Sequence, residues 1–353
     1  MVDWATIRAE VLRPPATKKE TRVRRIRYIA FGIAVNFAFC TVAFSEVNEV
    51  KIARQLGIAY LPLYVVQQER LIEKYAHAAG LPDLNVQWLQ LSGGSALNDA
   101  ILSGSADYVA GGTLIQLWDK TNGNVRGIAG LSDVTFTLLS SNAKVRKLED
   151  ISEGDKIAVP AVQSSGQAIV LQMLAEKTWG ASNYGQLDRY TVSMRHADAA
   201  LALRSARSGV DLHFSAPPYD IEELRVPGVH KVLDSNVLFG RPITQAMLYA
   251  TTKFGDANPK IQQAIFNAML EADKLIAADH QKAAQIYLSV TKEKLPMETL
   301  LKILDDPASV RFSVTPTGTF EIASFMKKTG RIKSLPASWK PFYFAELKDL
   351  AGS

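Results

Sequence analysis

The chain has 353 residues, 47% hydrophobic and 21% charged, enough to bury the cores of two domains and far from the composition of disordered or fibrous proteins. Of its 40 Lys/Arg and 35 Asp/Glu, eight and three lie in residues 1–45, so the net charge of +5 sits there and the remainder carries 32 of each sign. A nucleic-acid binder keeps a basic face on its folded part, and with a neutral remainder the charge argument for that class disappears.

The N-terminal charge has another explanation. Arg22, Arg24, Arg25 and Arg27 precede an apolar run from Tyr28 to Phe44, broken only by Asn36 and Thr41, and Ala43-Phe44-Ser45 sets small residues at −3 and −1 of a cleavage site. This predicts a signal peptide over residues 1–45, with Glu46 as the first mature residue and the periplasm as destination. An uncleaved anchor is the alternative, because the run is nearly long enough to span a bilayer. The single cysteine, Cys40, lies in this run, so a chain starting at Glu46 has no disulfide and no thiol nucleophile.

From Val50 onward strand and helix signals alternate, as in an α/β protein. Val50 to Ala59 reads as a strand and Val65 to Ala79 as an amphipathic helix closed by Gly80-Leu81-Pro82. Strands are predicted near Val125 to Leu131 and Phe136 to Ser140, then a first crossing between lobes at Ser141 to Lys144, a strand from Lys156 to Val162 and a helix from Gln167 to Lys177. A strand near Lys231 to Leu233 precedes a second crossing at Asn236 to Arg241, and Ile243 to Thr251 resembles a strand. The remaining third is helical: Asn258-Pro259 marks an N-cap followed by proline, and stripes cover Gln281 to Thr291, Pro296 to Leu304 and Thr317 to Lys328. The expected partition is residues 46–141 and 238–353 in one lobe and 142–237 in the other.

One unit occurs twice. A β-run from Val86 to Leu91 leads through Ser92-Gly93-Gly94-Ser95 into a helix, which ends at Ser103-Gly104 and is followed by Asp107 and the β-run Tyr108 to Gly112. The second copy runs from Tyr190 to Met194, through a helix from Ala199 to Arg207, to Ser208-Gly209, Asp211 and Leu212 to Ser215. Two such βαβ units imply two α/β lobes, and small molecules bind where strand carboxyl ends meet helix N-termini.

These residues carry a family resemblance. Glu49-Val-Lys-Ile-Ala, Gly57-Ile-Ala-Tyr-Leu-Pro-Leu63, Ser92-Gly-Gly-Ser95 with Asn98-Asp99-Ala100, Ser103-Gly104 with Asp107, Lys156-Ile-Ala-Val-Pro160 and the later Ser-Gly-x-Asp resemble periplasmic substrate-binding proteins of the nitrate/sulfonate/taurine ABC importer type. The resemblance spans the chain after the signal segment. It implies a bilobal α/β periplasmic-binding-protein fold (type II, venus-flytrap) with two crossings and a helical C-terminal region. It further implies a cleft that closes on a ligand, without fixing which one, and delivery to an ABC permease with a cytoplasmic ATPase.

The ligand site is expected at helix starts, where unpaired backbone N–H groups and the helix dipole attract an anion. The candidates on opposite walls are Ser92, Gly93, Gly94 and Ser95, and Gln163, Ser164 and Ser165. Ordinary N-capping by Ser95 or Ser165 is the bland alternative. Further candidates at strand ends are Tyr60, Tyr64, Gly112, Thr113 and Ser215, with turn chemistry and packing as their alternatives, and His196 at a helix start, with simple capping as its alternative.

A catalytic reading has little support, since the chain lacks a Gly-x-Ser-x-Gly elbow, a Walker loop and a His-Glu-x-x-His helix. Its five histidines show no metal-ligand spacing, so no metal, no cofactor and no catalytic residue are expected. A monomeric, exported binding protein for a sulfonate- or carboxylate-like anion is the expectation; a periplasmic enzyme on the same scaffold, or a ligand-binding module for a sensor, is the alternative.

Overall fold

The computed structural model describes residues 46–91, 93–205 and 208–353, so the segment read as a signal peptide lies outside the described residues. Strand β1 (Glu49–Arg54) starts the fold, with Val50 and Ile52 fully buried. It is shorter than the sequence suggests. Gly57, at φ 126, turns the chain into a 3-10 turn at Ile58–Tyr60, so the strand signal to Ala59 ends at a glycine conformation that side-chain-bearing residues rarely adopt.

The predicted helix from Val65 to Ala79 is two helices, α1 (Leu61–Gln68) and α2 (Leu71–Ala78). Arg70 between them is left-handed at φ 50 and interrupts the ladder, while the apolar stripe continues across the break. Next come β2 (Asn85–Gln90), α3 (Gly94–Ser103), β3 (Tyr108–Gly111), α4 (Leu114–Lys120) and β4 (Val125–Val134). The sequence reading passed over α4, a seven-residue helix.

The chain then enters a second sheet through β5 (Thr137–Ser140), β6 (Ile157–Val159), α5 (Gly166–Trp179), β7 (Thr191–Ser193), α6 (His196–Leu203), β8 (Leu212–Ser215), α7 (Tyr219–Glu223), β9 (His230–Asp234) and α8 (Asn236–Phe239). It returns in β10 (Ile243–Thr251) and continues through α9 (Thr252–Ala257), α10 (Pro259–Ala278), α11 (His280–Thr291), α12 (Met297–Leu304), β11 (Val310–Arg311) and α13 (Thr319–Lys328).

The two sheets have one plan. Strand order is β11-β4-β10-β3-β1-β2 in the first and β7-β6-β8-β5-β9 in the second. In each, the two strands of a repeat unit flank a central parallel strand: β2 and β3 beside β1, β7 and β8 beside β6. Both central strands carry Lys-Ile-Ala, at Lys51 and Lys156, and the amide of the repeat's aspartate donates to that lysine's carbonyl, Asp107 to Lys51 at 2.9 Å and Asp211 to Lys156 at 3.2 Å. The register agrees as well, Ile52 opposite Tyr108 and Ile157 opposite Leu212. Gly104 and Gly209, at φ 75 and 70, supply the left-handed turn that re-aims each unit toward its second strand.

Each sheet also receives one antiparallel strand from chain that has just left the other: β5 lies between β8 and β9, and β10 between β3 and β4. This corrects the expected position of the first crossing. The strand Phe136 to Ser140 pairs in the second sheet, so the chain passes over between Val134 and Thr137, before the polar Ser141–Lys144 segment. The return lies between Asp234 and Ile243.

Helix α10 buries Ile261, Ile265, Ala268, Met269, Ala272 and Ile276 along one stripe against α1 and α2. Each large side chain removed from water there contributes about 1.5–3 kcal/mol. Its start is held from far away in sequence: the amides of Lys260 and Ile261 both donate at 2.9 Å to the Glu46 carboxylate, while Asn258, the expected cap, accepts from the Val47 amide instead. A carboxylate at a helix N-terminus satisfies orphan donors and complements the dipole.

Candidate functional site

Helix starts follow the carboxyl ends of parallel strands in both sheets: α3 after β2, α5 after β6 and α6 after β7. The first-turn amides of an α-helix have no partner within it. Gly93 is the N-cap of α3, at φ 93, and no side chain caps that helix; Gly94 and Ser95 form its first turn. Ser92 lies outside the described residues. Gly94 packs on Thr113, whose methyl a Cβ at Gly94 would meet at 3.5 Å. Thr113 donates to Asn98 Oδ1 at 2.6 Å and lies 3.0 Å from the Tyr249 hydroxyl, and Gly112 leaves only 3.0 Å between a would-be Cβ and the Gln245 carbonyl.

The second group is differently built. Ser165 is the N-cap of α5: its hydroxyl accepts from the Ala168 amide at 3.2 Å and donates to the Ala161 carbonyl at 2.9 Å. Ser164 donates to the Val162 carbonyl at 3.3 Å, and Gln163 is left-handed at φ 59. The carbonyls of this loop face donors from elsewhere: Gln116 of α4 reaches Ser164 O at 3.2 Å, and Arg331 donates to Gln163 O and, at 2.6 Å, to Gln172 Oε1. His196 opens α6, and Ser215 ends β8 fully buried, donating to Glu223 Oε2 at 2.6 Å.

The structure thus gathers Gly93, Gly94, Ser95, Gly112 and Thr113 at the first sheet and Gln163, Ser164, Ser165, His196 and Ser215 at the second, with the Gln116 contact joining α4 to the loop before α5. The tyrosines are buried. Tyr64 is 1% exposed, its hydroxyl donates to Gln55 O at 3.1 Å, and its ring meets Tyr287 edge-on at 5.8 Å. Tyr60 accepts from the Gln55 amide at 3.1 Å, and burial, with Tyr249 and Tyr64 nearby, holds its phenol well above its ordinary range.

One charged residue escaped the sequence reading. Arg54 ends β1 with its guanidinium 4.5 Å from the ring centroids of both Tyr64 and Trp88, donates to Leu63 O at 3.1 Å and to Gln67 Oε1, and has no carboxylate within 4 Å among the described residues. Burial lowers it to about 10. Two aromatic faces partly replace the missing counter-ion. The available signal was the position of Arg54 at the end of a strand whose inward residues Val50, Ile52 and Ala53 are apolar.

Ser215 donates to the Glu223 carboxylate, whose other oxygen bonds His213, so a hydroxyl, a carboxylate and an imidazole form one buried hydrogen-bonded set. Among the described residues no cluster of three His, Cys, Asp or Glu is placed to hold a metal ion, and no helix is long and apolar enough to cross a membrane.

No protein-family model matches the chain, nor does any curated protein sequence. Solved structures do. The alkanesulfonate-binding protein SsuA from Xanthomonas axonopodis pv. citri, bound to MOPS, is 18% identical with a TM-score of 0.60, over 76% of this chain and 87% of that one. The periplasmic aliphatic sulphonate binding protein SsuA from Escherichia coli is 16% identical, TM-score 0.62, over 81% and 89%. The periplasmic nitrate-binding protein NrtA from Synechocystis PCC 6803 is 15% identical, TM-score 0.62, over 84% of each chain. With two sheets of one plan and a strand exchanged between them, the chain has the bilobal α/β fold of the periplasmic binding proteins, in the form that sulfonate- and nitrate-binding proteins share.

Proposed function

We propose that this chain is the exported solute-binding component of an ABC importer, which captures a small organic anion, sulfonate- or carboxylate-like, between two lobes and delivers it to a membrane permease driven by a cytoplasmic ATPase. Residues 1–45 act as the signal peptide, the mature protein works in the periplasm as a monomer without cofactor, and it performs no chemistry on its ligand. The lobes are built on the two sheets, meeting at the passages 134–137 and 234–243.

The observation that carries this reading is the placement of helix starts α3, α5 and α6 at strand carboxyl ends of both sheets, with Gly93 and Gly94 leaving the backbone open on one side. Arg54, held without a carboxylate partner at the end of β1, adds positive potential to that side. Ligand contacts to both lobes favour the closed arrangement over the open one by their differential affinity, and closure is what a permease reads.

A thermal-shift screen of the mature protein over alkanesulfonates, nitrate, aromatic carboxylates and pyrimidines tests the reading, because a ligand that binds only the folded state raises Tm. Stabilisation by sulfonates or carboxylates is expected. Stabilisation by neutral compounds alone would overturn the anion assignment, and turnover of a stabilising compound would overturn the non-enzymatic one.

A further inference from the structure

Beneath the second group of helix starts lies an unbroken chain of polar side chains. Gln167 Nε2 is 3.0 Å from His196 Nε2, His196 Nδ1 is 2.8 Å from His213 Nε2, and His213 Nδ1 is 2.6 Å from Glu223 Oε1, whose other oxygen accepts from Ser215. His213, Ser215 and Glu223 have no exposed surface and Gln167 almost none, whereas His196 is part-exposed. His196 lies stacked against Tyr219, centroids 5.8 Å apart and planes 17° from parallel.

A neutral imidazole has one N–H and one lone pair, so this chain has two directions. With Glu223 ionised, His213 donates from Nδ1 to the carboxylate, His196 donates from Nδ1 to His213 Nε2, and the Gln167 amide donates to His196 Nε2. A proton arriving at His196 Nε2 moves every bond on by one step: the His196 Nδ1 proton passes to His213 Nε2, and the His213 Nδ1 proton passes to Glu223 Oε1. The end state is a neutral carboxylic acid, two neutral imidazoles with protons on Nε2, and a Gln167 amide turned to accept.

The surroundings favour neutral members. Burial pushes Glu223 up to about 8 against the opposing pull of Ser215 and Arg204, and burial pushes His196 and His213 down to about 3. The same elements also carry Asp220, itself raised to about 7 by burial, the Arg195–Asp198 and Arg225–Glu222 pairs and, in the last turn of α5, Lys177 and Glu176, the latter paired with Lys328; Tyr219, which stacks on His196, feels the charge of Glu293.

We propose that this chain is a proton relay that couples anion capture to uptake of one proton, since its outer members, Gln167 and His196, belong to the first turns of α5 and α6, where an anion favours the uncharged form of Glu223. The coupling rests on the anion reading of the cleft. Above about pH 8 Glu223 is ionised in the unliganded protein. Binding there takes up a proton, and affinity falls with rising pH by up to tenfold per unit.

The test is calorimetric titration of ethanesulfonate into the mature protein at pH 8.5, in buffers of different ionisation enthalpy. Uptake approaching one proton per ethanesulfonate is expected, with none for Glu223→Gln and a pH midpoint moved upward for Ser215→Ala, which keeps the carboxyl but removes its stabilising donor. Binding without proton uptake overturns the coupling and leaves the anion reading intact. Absence of binding removes the anion reading and the coupling with it. The relay itself is then decided by imidazole nitrogen NMR of the unliganded protein: both rings should exchange Nδ1–H for Nε2–H together near pH 8, and independent or absent exchange overturns it.

Discussion

The Gln116 side-chain amide donates to the Ser164 carbonyl at 3.2 Å, joining a helix of the first sheet to the loop that opens the longest helix of the second. Arg331 supports the same loop by donating to Gln163 O, so two donors outside the second sheet hold two consecutive carbonyls. Substituting Arg331→Ala removes one of these bonds at a part-exposed site. Ethanesulfonate affinity is expected to fall roughly three- to tenfold, the worth of about 1 kcal/mol, with Tm little changed. A large fall in Tm with affinity intact would assign Arg331 to stability instead.

Ser95 and Ser165 separate anion contact from capping. Ser165→Ala removes a bond to the Ala168 amide and should cost about 1 kcal/mol of stability in denaturant titration. Ser95, inside the first turn of a helix whose cap is Gly93, makes no capping bond, so Ser95→Ala should change stability by less than about 0.5 kcal/mol while weakening anion binding.

Stability should decline as pH rises from about 4 to 8, most plainly above 6.5, and level off beyond. Burial raises Asp220 and Asp273 to about 7 and Glu223 to about 8, so over this window the folded state binds protons that the unfolded chain has already released, and stability drops. The two lowered histidines act in the opposite sense only between about 3 and 6.5, where the unfolded chain holds protons that the folded state excludes. Each carboxyl contributes a slope of up to about 1.4 kcal/mol per pH unit. Glu223→Gln should flatten the upper part of a Tm-against-pH curve; an unchanged curve would show that Glu223 does not titrate there.

Gly127 is where the C-terminal segment closes on the first sheet. A Cβ there would stand 2.3 Å from Tyr343 Cδ1 and 2.9 Å from Leu114 Cδ2, in a buried setting with no room to yield. Gly127→Ala should therefore destabilise by about 3 kcal/mol through overpacking, measured by denaturant unfolding. A loss below about 0.5 kcal/mol would mean that Tyr343 leaves its place freely.

Legibility followed the range of the interactions. The repeat was readable because each copy is local: turn glycine, aspartate and β-run lie within some thirty residues, and the structure pairs both around Lys-Ile-Ala strands. The first crossing was misplaced because Thr137-Leu138-Leu139-Ser140 is an apolar run that fits either sheet, and only its partners β8 and β9, far along the chain, decide. The break at Arg70 was hidden by an apolar periodicity that crosses it. Of the relay, His196 was noticed as a helix start, but His213 and Glu223 follow at spacings that match no motif and meet only when β8, α6 and α7 pack.

The exchanged strands set an order of events during synthesis. The first sheet cannot join β3 to β4 until β10 is made, more than a hundred residues after β4 leaves the ribosome, and β10 arrives only after the entire second sheet. The N-terminal part therefore waits as two unjoined pieces, β1-β2-β3 and β4, while the later sheet has all its strands within residues 137–234. Such long-range closure slows folding, and a slow folder stays threadable for longer. For a chain proposed to be exported, that delay keeps its largest sheet open longest, because that sheet is the last part able to resist unfolding.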